Sequence, residues 1–191
     1  MSGDWLLDWL SLARLPHIVD IGANPIDGDT PYKALIAKQL VKVTGFEPQE
    51  AALQVLNQRK TAMETYLPYV IGNGGKSTLN VCQYSGWTSL KKPRQAALEV
   101  FNQFKESAEI VETLAVTCKK LDSVHDASDI DMLKIDAQGA ELDVLRGATK
   151  KNLSKLLGDR VGIPLRGRRH RPCSICGWCP EPAQQYLPGF E

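Results

Sequence analysis

No stretch of this 191-residue chain is apolar long enough to suggest a membrane span. The N-terminal segment Met1-Ser2-Gly3-Asp4-Trp5-Leu6-Leu7-Asp8-Trp9-Leu10 is interrupted by acids and lacks a basic leader, so it predicts neither a signal peptide nor a transmembrane helix. An excess of one charge is also missing. Twenty-three Lys and Arg face 22 Asp and Glu, for a formal charge of +1, and this balance offers no field to draw nucleic acid or an acidic membrane surface. Cysteine is sparse, and Cys82 and Cys118 stand alone in apolar stretches, as small buried hydrophobes do. That usage fits a reducing, cytoplasmic compartment. What remains is one ordinary globular domain, 43% hydrophobic and able to bury a core. Composition names no partner.

The composition changes near Gly158. Up to Leu157 there are 14 Lys and 4 Arg; from Gly158 to Glu191 there are 5 Arg and no Lys, with 5 Pro, 5 Gly and 3 Cys. This tail has no apolar period of 2 or 3.6, so it predicts neither strand nor amphipathic helix. His170, Cys173, Cys176 and Cys179 have ligand-like spacing, yet all four crowd into ten residues beside Pro172 and Pro180. Structural zinc sites usually set their ligand pairs across a loop, and no metal site is expected here. The chain thus divides into a domain over residues 1–157 and an irregular Arg/Pro/Gly/Cys-rich tail over 158–191.

Within the domain, Ile18-Val19-Asp20-Ile21 and Val41-Lys42-Val43-Thr44-Gly45-Phe46 read as buried parallel strands. Between them a helix is expected from Thr30 as N-cap and Pro31 at its first position, with Leu35, Ile36 and Leu40 inward. A helix over 49–59, burying Ala52, Leu53, Val55 and Leu56, leads to a strand over 64–71. After the Gly74-Gly75 turn comes an extended segment over 78–83. Ala97, Val100, Phe101, Phe104 and Ala108 recur at helical spacing and suggest an inserted helix over 94–108, before a β-rich run over 111–117. A strand over 131–136 and a helix over 141–157 follow. The alternation argues for a doubly wound, mostly parallel α/β sheet with right-handed crossovers.

In such sheets ligands bind beyond the carboxyl ends of the strands. Three acids fall there: Asp20, Glu47 and Asp136. Gly22 lets the backbone turn tightly after the first strand, and Gly28 keeps the next helix entry uncrowded. Glu47 ends the second strand, 27 residues beyond Asp20, where a carboxylate can accept both hydroxyls of a ribose. The Gly-x-Gly-x-x-Gly pyrophosphate fingerprint is absent, because Ala23-Asn24-Pro25-Ile26-Asp27 follows Gly22. Asp27 and Asp29 would sit badly beside phosphate. An adenosine carrying cationic ammonium and sulfonium groups suits these carboxylates better, and S-adenosylmethionine is the common ligand of that kind.

The segments Val19-Asp20-Ile21-Gly22-Ala23-Asn24, Gly45-Phe46-Glu47-Pro48, Leu121-Asp122-Ser123-Val124, Leu133-Lys134-Ile135-Asp136-Ala137-Gln138-Gly139-Ala140-Glu141 and Leu145-Arg146-Gly147-Ala148 occur in this order. Together they resemble the FkbM-type methyltransferases over residues 16–149. The resemblance implies a Rossmann-like sheet of the class I methyltransferase type and methyl transfer from S-adenosylmethionine to a hydroxyl of a small-molecule or saccharide acceptor. It implies that Asp20, Gly22 and Asn24 line the methionine end, that Glu47 holds the ribose, and that Asn73 lies near adenine. Asp136 and Glu141 would border the methyl donor and acceptor, with Asp136 the first candidate for general base or orienting group. His17 and His125 are weaker candidates. Residues 87–90 and the 94–108 helix would cover the acceptor. The resemblance also implies further strands after residue 157, a Val/Ile-rich one first, and the tail lacks them. Gly162-Ile163-Pro164 can be encoded so that a shift of one base reads Glu-Phe, which the family has there, and this points to a shifted frame from about residue 158; an alternative splice or gene-boundary error gives the same pattern, and a genuine short tail is the other reading. An alternative reading is a catalytically inactive, adenosine-binding remnant of the fold; a nicotinamide-dependent enzyme ranks lower because the glycine fingerprint is missing. The oligomeric state and the acceptor's identity are not legible.

Overall fold

The computed structural model describes residues 14–149. Its centre is a four-stranded parallel sheet made of β1 (His17–Ile21), β2 (Lys42–Phe46), β3 (Glu64–Leu67) and β6 (Met132–Ile135), in the order β3-β2-β1-β6. The chain winds outward through β1, β2 and β3, then returns to the other side of β1 as β6. The direction of winding therefore reverses between β1 and β6, which opens a crevice at the carboxyl end of the sheet. β4 (Gly75–Cys82) and β5 (Ile110–Cys118) form a separate antiparallel pair.

Both faces of the parallel sheet are covered, as its sequence of near-continuous apolar runs requires. Val19, Ile21 and Phe46 pack on one face with Leu121, Val124 and Val144. Val144 belongs to α4 (Glu141–Arg146). Ile18, Val41 and Val43 pack on the other face with Tyr32 and with Ile36 of α1 (Lys33–Ala37). Leu56 of α2 (Glu50–Arg59) completes that side with Ala23 and Tyr66. Gly45 has no room for a side chain, since a Cβ there would meet the Tyr66 ring at 2.5 Å.

Several elements differ from their sequence expectation. α1 starts at Lys33, not at Pro31: Lys33 N–H donates to the Thr30 carbonyl and closes a turn, and no side chain caps the helix. Leu35 is exposed, and Tyr32 occupies the interior in its place. β3 stops at Leu67 because Pro68 has no amide to donate, and Ile71 keeps only an isolated bridge to Lys119. The expected 94–108 helix is a short α3 (Gln95–Val100) followed by a 3-10 turn at Asn102–Phe104, broken at Phe101; Val100 is 73% exposed. Strands β4 and β5 leave the main sheet, and the segment between them is inserted, as expected. α4 ends at Arg146 and gives way to a turn over residues 147–149; the rest of the helix expected over 141–157 lies outside the described residues. The strand expected after residue 157, the His/Cys cluster and the frame-shift reading all lie outside the described residues. Among the described residues no helix is long and apolar enough to cross a membrane, and no cluster of His, Cys, Asp and Glu could hold a metal ion.

Candidate active site

The crevice at the carboxyl end of the sheet is a cavity with about 1030 Å³ of empty space, its open mouth included. Its floor comes from the turns that follow β1, β2 and β6. Gly22, at φ +79°, makes the first turn, and a Cβ there would stand 2.0 Å from the Asp136 carbonyl oxygen. Backbone therefore lies on backbone. Gly22 and Ala23 both donate to the Phe46 carbonyl at 3.1 Å, and Asp136 N–H donates to the Ile21 carbonyl at 2.8 Å. These bonds lock the ends of the three strands to one another.

Asp20 is fully buried, paired in register with Lys134 of β6. Lys134 Nζ donates to its Oδ1 at 2.9 Å, and the Tyr32 hydroxyl donates to its Oδ2. Burial pushes the Asp20 carboxyl upward while Lys134 and Tyr32 pull it down. Burial, with the Asp20 charge beside it, also holds the Tyr32 hydroxyl protonated. Glu47 is 2% exposed, and burial pushes its carboxyl up to about 7, although Gln49 N–H donates to Oε1 at 2.8 Å. Asp136 sits at the exposed rim, where Gln138 Nε2 donates to Oδ1 at 2.9 Å. Asn24 caps the 3-10 turn Pro25–Asp27 through Ile26 N–H and donates to Ser85 Oγ at 3.3 Å.

The structure brings Asp20, Gly22, Asn24, Glu47 and Asp136 to one cavity. Asn73 and Glu141 do not line it. Asn73 is exposed at the start of the β4–β5 excursion, and Tyr69, Val70 and Ile71 line the cavity from that connection. Glu141 turns back on its own loop, where Oε1 accepts from Ala137 N–H at 3.2 Å and Gly139 N–H at 3.0 Å. It fixes the turn that carries Asp136. His17 is buried in the sheet, its Nδ1 donating to the Ser128 carbonyl at 2.9 Å and its Nε2 2.9 Å from Thr44 Oγ1. His125 is exposed at the start of the 3-10 turn His125–Ala127. Neither lines the cavity.

Three contributors, Tyr32, Lys134 and Gln49, escaped the sequence, whereas Ser89 falls in the 87–90 segment expected over the acceptor. Tyr32 and Lys134 serve Asp20; Gln49 and Ser89 hold the roof. Gln49 Nε2 donates to the Ser85 carbonyl at 3.1 Å, and Thr88 Oγ1 donates to Gln49 Oε1 at 3.3 Å. On the opposite side, Ser89 Oγ lies 2.9 Å from the Gln138 carbonyl and 3.1 Å from that of Ala137, and Lys91 pairs with Asp143 at 2.6 Å. Residues 85–91 thus span from the loop after β2 to the loop after β6. Behind them, Trp87 packs on Phe104 with ring centroids 5.3 Å apart, which anchors the strap to the insertion.

The other short motifs have structural roles. Leu121, fully buried, opens the 3-10 turn Leu121–Ser123, and Asp122 N–H donates to the Gly147 carbonyl at 3.1 Å. Gly147 must be glycine, since a Cβ there would lie 2.0 Å from the Gly72 carbonyl oxygen.

Comparison with known proteins agrees with this architecture. Residues 20–161 match the family described as the methyltransferase FkbM domain. No curated protein and no solved structure matches the chain.

Proposed function

The chain belongs to the FkbM methyltransferase family, and from that premise we propose that it moves a methyl group from S-adenosylmethionine to a hydroxyl of a small-molecule or saccharide acceptor. The observation that carries the reading is Glu47: a buried carboxylate at the carboxyl end of β2, lining the same cavity as Asp20 and Asp136. A buried acid held partly protonated is costly to keep, and two ribose hydroxyls would be suitable donors to its ionised form.

The donor set fits the rest of the ligand. Four carboxylates line the cavity, those of Asp20, Asp29, Glu47 and Asp136, which suits a ligand bearing ammonium and sulfonium charges. Phe46, Tyr69 and Ile71 give an apolar wall for adenine; Phe46 and Tyr69 stack at 6.3 Å. Asp20, Gly22 and Asn24 border the methionine end. When bound, the cofactor supplies a methyl group on a positively charged sulfur. The protein's part is to hold the acceptor oxygen in line with that methyl, an orientation worth up to roughly 7–11 kcal/mol in well-ordered systems. Asp136, at the rim, accepts or orients the acceptor's hydroxyl proton. The strap over 85–91 limits water at the mouth and presents the acceptor.

Calorimetry with S-adenosylhomocysteine, followed by methyl release from labelled S-adenosylmethionine with polyol and saccharide acceptors, tests the proposal. Micromolar binding and acceptor-dependent release are expected. Binding without release to any acceptor would leave the inactive remnant as the better reading, and no binding would remove both.

A further inference from the structure

Lys134 has a position that the ribose and acceptor assignments do not use. Among the described residues it is the one cation lining the cavity. Its Nζ spends one donor on Asp20 Oδ1 at 2.9 Å, and its side chain is still 28% exposed, so the ammonium reaches the cavity with hydrogens left to give. The backbone nearby is already committed. Gly22 and Ala23 N–H go to Phe46, Asp136 N–H goes to Ile21, and the amides of Ala137 and Gly139 go to Glu141. Turns after the strands of such sheets often offer amides to anions; at these five positions the amides have partners within the protein. Among the described residues, an anionic group entering this acidic cavity is left with Lys134 as its charged donor.

We propose that Lys134 is the anchor for the α-carboxylate of the cofactor's amino-acid end, and so makes the site select an amino-acid-bearing sulfonium nucleoside over one that lacks the carboxylate. This rests on the reading that the cavity binds S-adenosylmethionine. Asp20 holds the lysine from behind, at the paired position of the neighbouring strand, and Tyr32 fixes Asp20 in turn. The ammonium is thereby aimed without a long search of rotamers. A charge-assisted contact of this kind is among the stronger single hydrogen bonds a ligand can make.

The test compares S-adenosylmethionine with decarboxylated S-adenosylmethionine, which keeps both cationic groups and loses only the carboxylate. Calorimetry on the full chain should show the intact ligand binding about tenfold or more tighter. Lys134→Gln should remove that preference by weakening the intact ligand and leaving the decarboxylated one within about threefold, whereas Lys134→Arg should retain most of it. Lys134→Gln leaves Asp20 buried and unpaired, which can unfold the domain. The double variant Asp20→Asn, Lys134→Gln replaces the ion pair with a neutral pair and should show the same loss of preference. If the parent binds both ligands equally, or if the variants weaken both alike, the anchor role is overturned while the cofactor reading stands. Failure of the parent to bind either ligand would instead overturn the cofactor reading and this inference together.

Discussion

Replacing Glu47 with glutamine should stabilise the protein and weaken cofactor binding, two effects of opposite sign from one buried charge. Glu47 is 2% exposed and burial raises its carboxyl to about 7 from an ordinary 4.5, with the nearby Asp20 charge adding to the rise. The folded state therefore holds this proton more tightly than the unfolded chain does. The stabilisation is complete below the unfolded value and is lost as pH rises from about 4.5 through about 7. At about 1.4 kcal/mol per tenfold change, the loss at pH 8 comes to roughly 3 kcal/mol. Glutamine carries no titrating proton, and its carbonyl can still accept from Gln49 N–H. Glu47→Gln should then match the parent near pH 4.5 to 5 and melt roughly 6–12 °C higher at pH 8, taking about 2–4 °C per kcal/mol for a chain of this size. Differential scanning calorimetry without ligand reads this directly. Isothermal titration with S-adenosylhomocysteine should show affinity in the parent rising between pH 6 and 8, as the carboxylate ionises. The variant should bind about tenfold or more weakly at pH 8, with little pH dependence. A variant no more stable at pH 8 than the parent would show that Glu47 is not the strained acid its burial implies; unchanged affinity would remove it from the ribose.

Other consequences are simpler to read. Gly147→Ala forces a methyl against the Gly72 carbonyl, and urea denaturation should show about 1–3 kcal/mol lost; no loss would mean that the loop after β3 yields freely. Burial lowers the pKa of His17 below the usual 6.5, so its contribution to stability is present above that value and falls away under acid. His17→Gln should flatten the decline below pH 6.5, and an identical acid slope in both proteins would exclude His17 as its source. Ser89→Ala strips the Ala137 and Gln138 carbonyls of a donor, so protease cleavage within residues 84–91 should accelerate about fivefold or more, the opening being easier by about 1–3 kcal/mol. Unchanged cleavage would show that Gln49 and Lys91 hold the strap without it.

Features that are local along the chain could be read in advance, and those that depend on distant partners could not. The runs around Val19 and Val43 announced buried parallel strands because both faces of such strands are apolar, and the acids closing them stood out against that background. Gly22 was legible because a tight turn demands it. Lys134 was invisible as a site residue: its partner Asp20 is 114 residues away, and only the β1–β6 register brings them together. Tyr32 hid for a different reason, since a ring that packs with Ile36 while its hydroxyl reaches Asp20 leaves no clear mark in a period of 3.6. Thr30-Pro31 has the composition of a helix start, yet the pair closes a turn that delivers Tyr32 to the core. The apolar positions over 97–108 misled because Phe104 serves the Trp87 contact and not a continuous helical stripe. Asn73 is expected near adenine from its place after the third strand and Glu141 near the methyl donor from its motif; the first is exposed and the second bonds its own loop, and neither lines the cavity.

The seam where Gly22 meets the Asp136 carbonyl divides the domain into parts with unequal freedom to change. On the seam, a single added methyl collides with main chain, so almost any substitution there disturbs Asp20, Glu47 and Asp136 at once. Main-chain bonds tie the strap and the insertion over residues 83–109 to β4 and to each other, but they are held to the floor by the side chains of Gln49, Ser89 and Lys91, and side chains can be exchanged. A laboratory library aimed at new acceptors should therefore concentrate on residues 84–109. Variants drawn from that segment will keep a folded, ligand-binding floor far more often than variants drawn from the three turns beneath it.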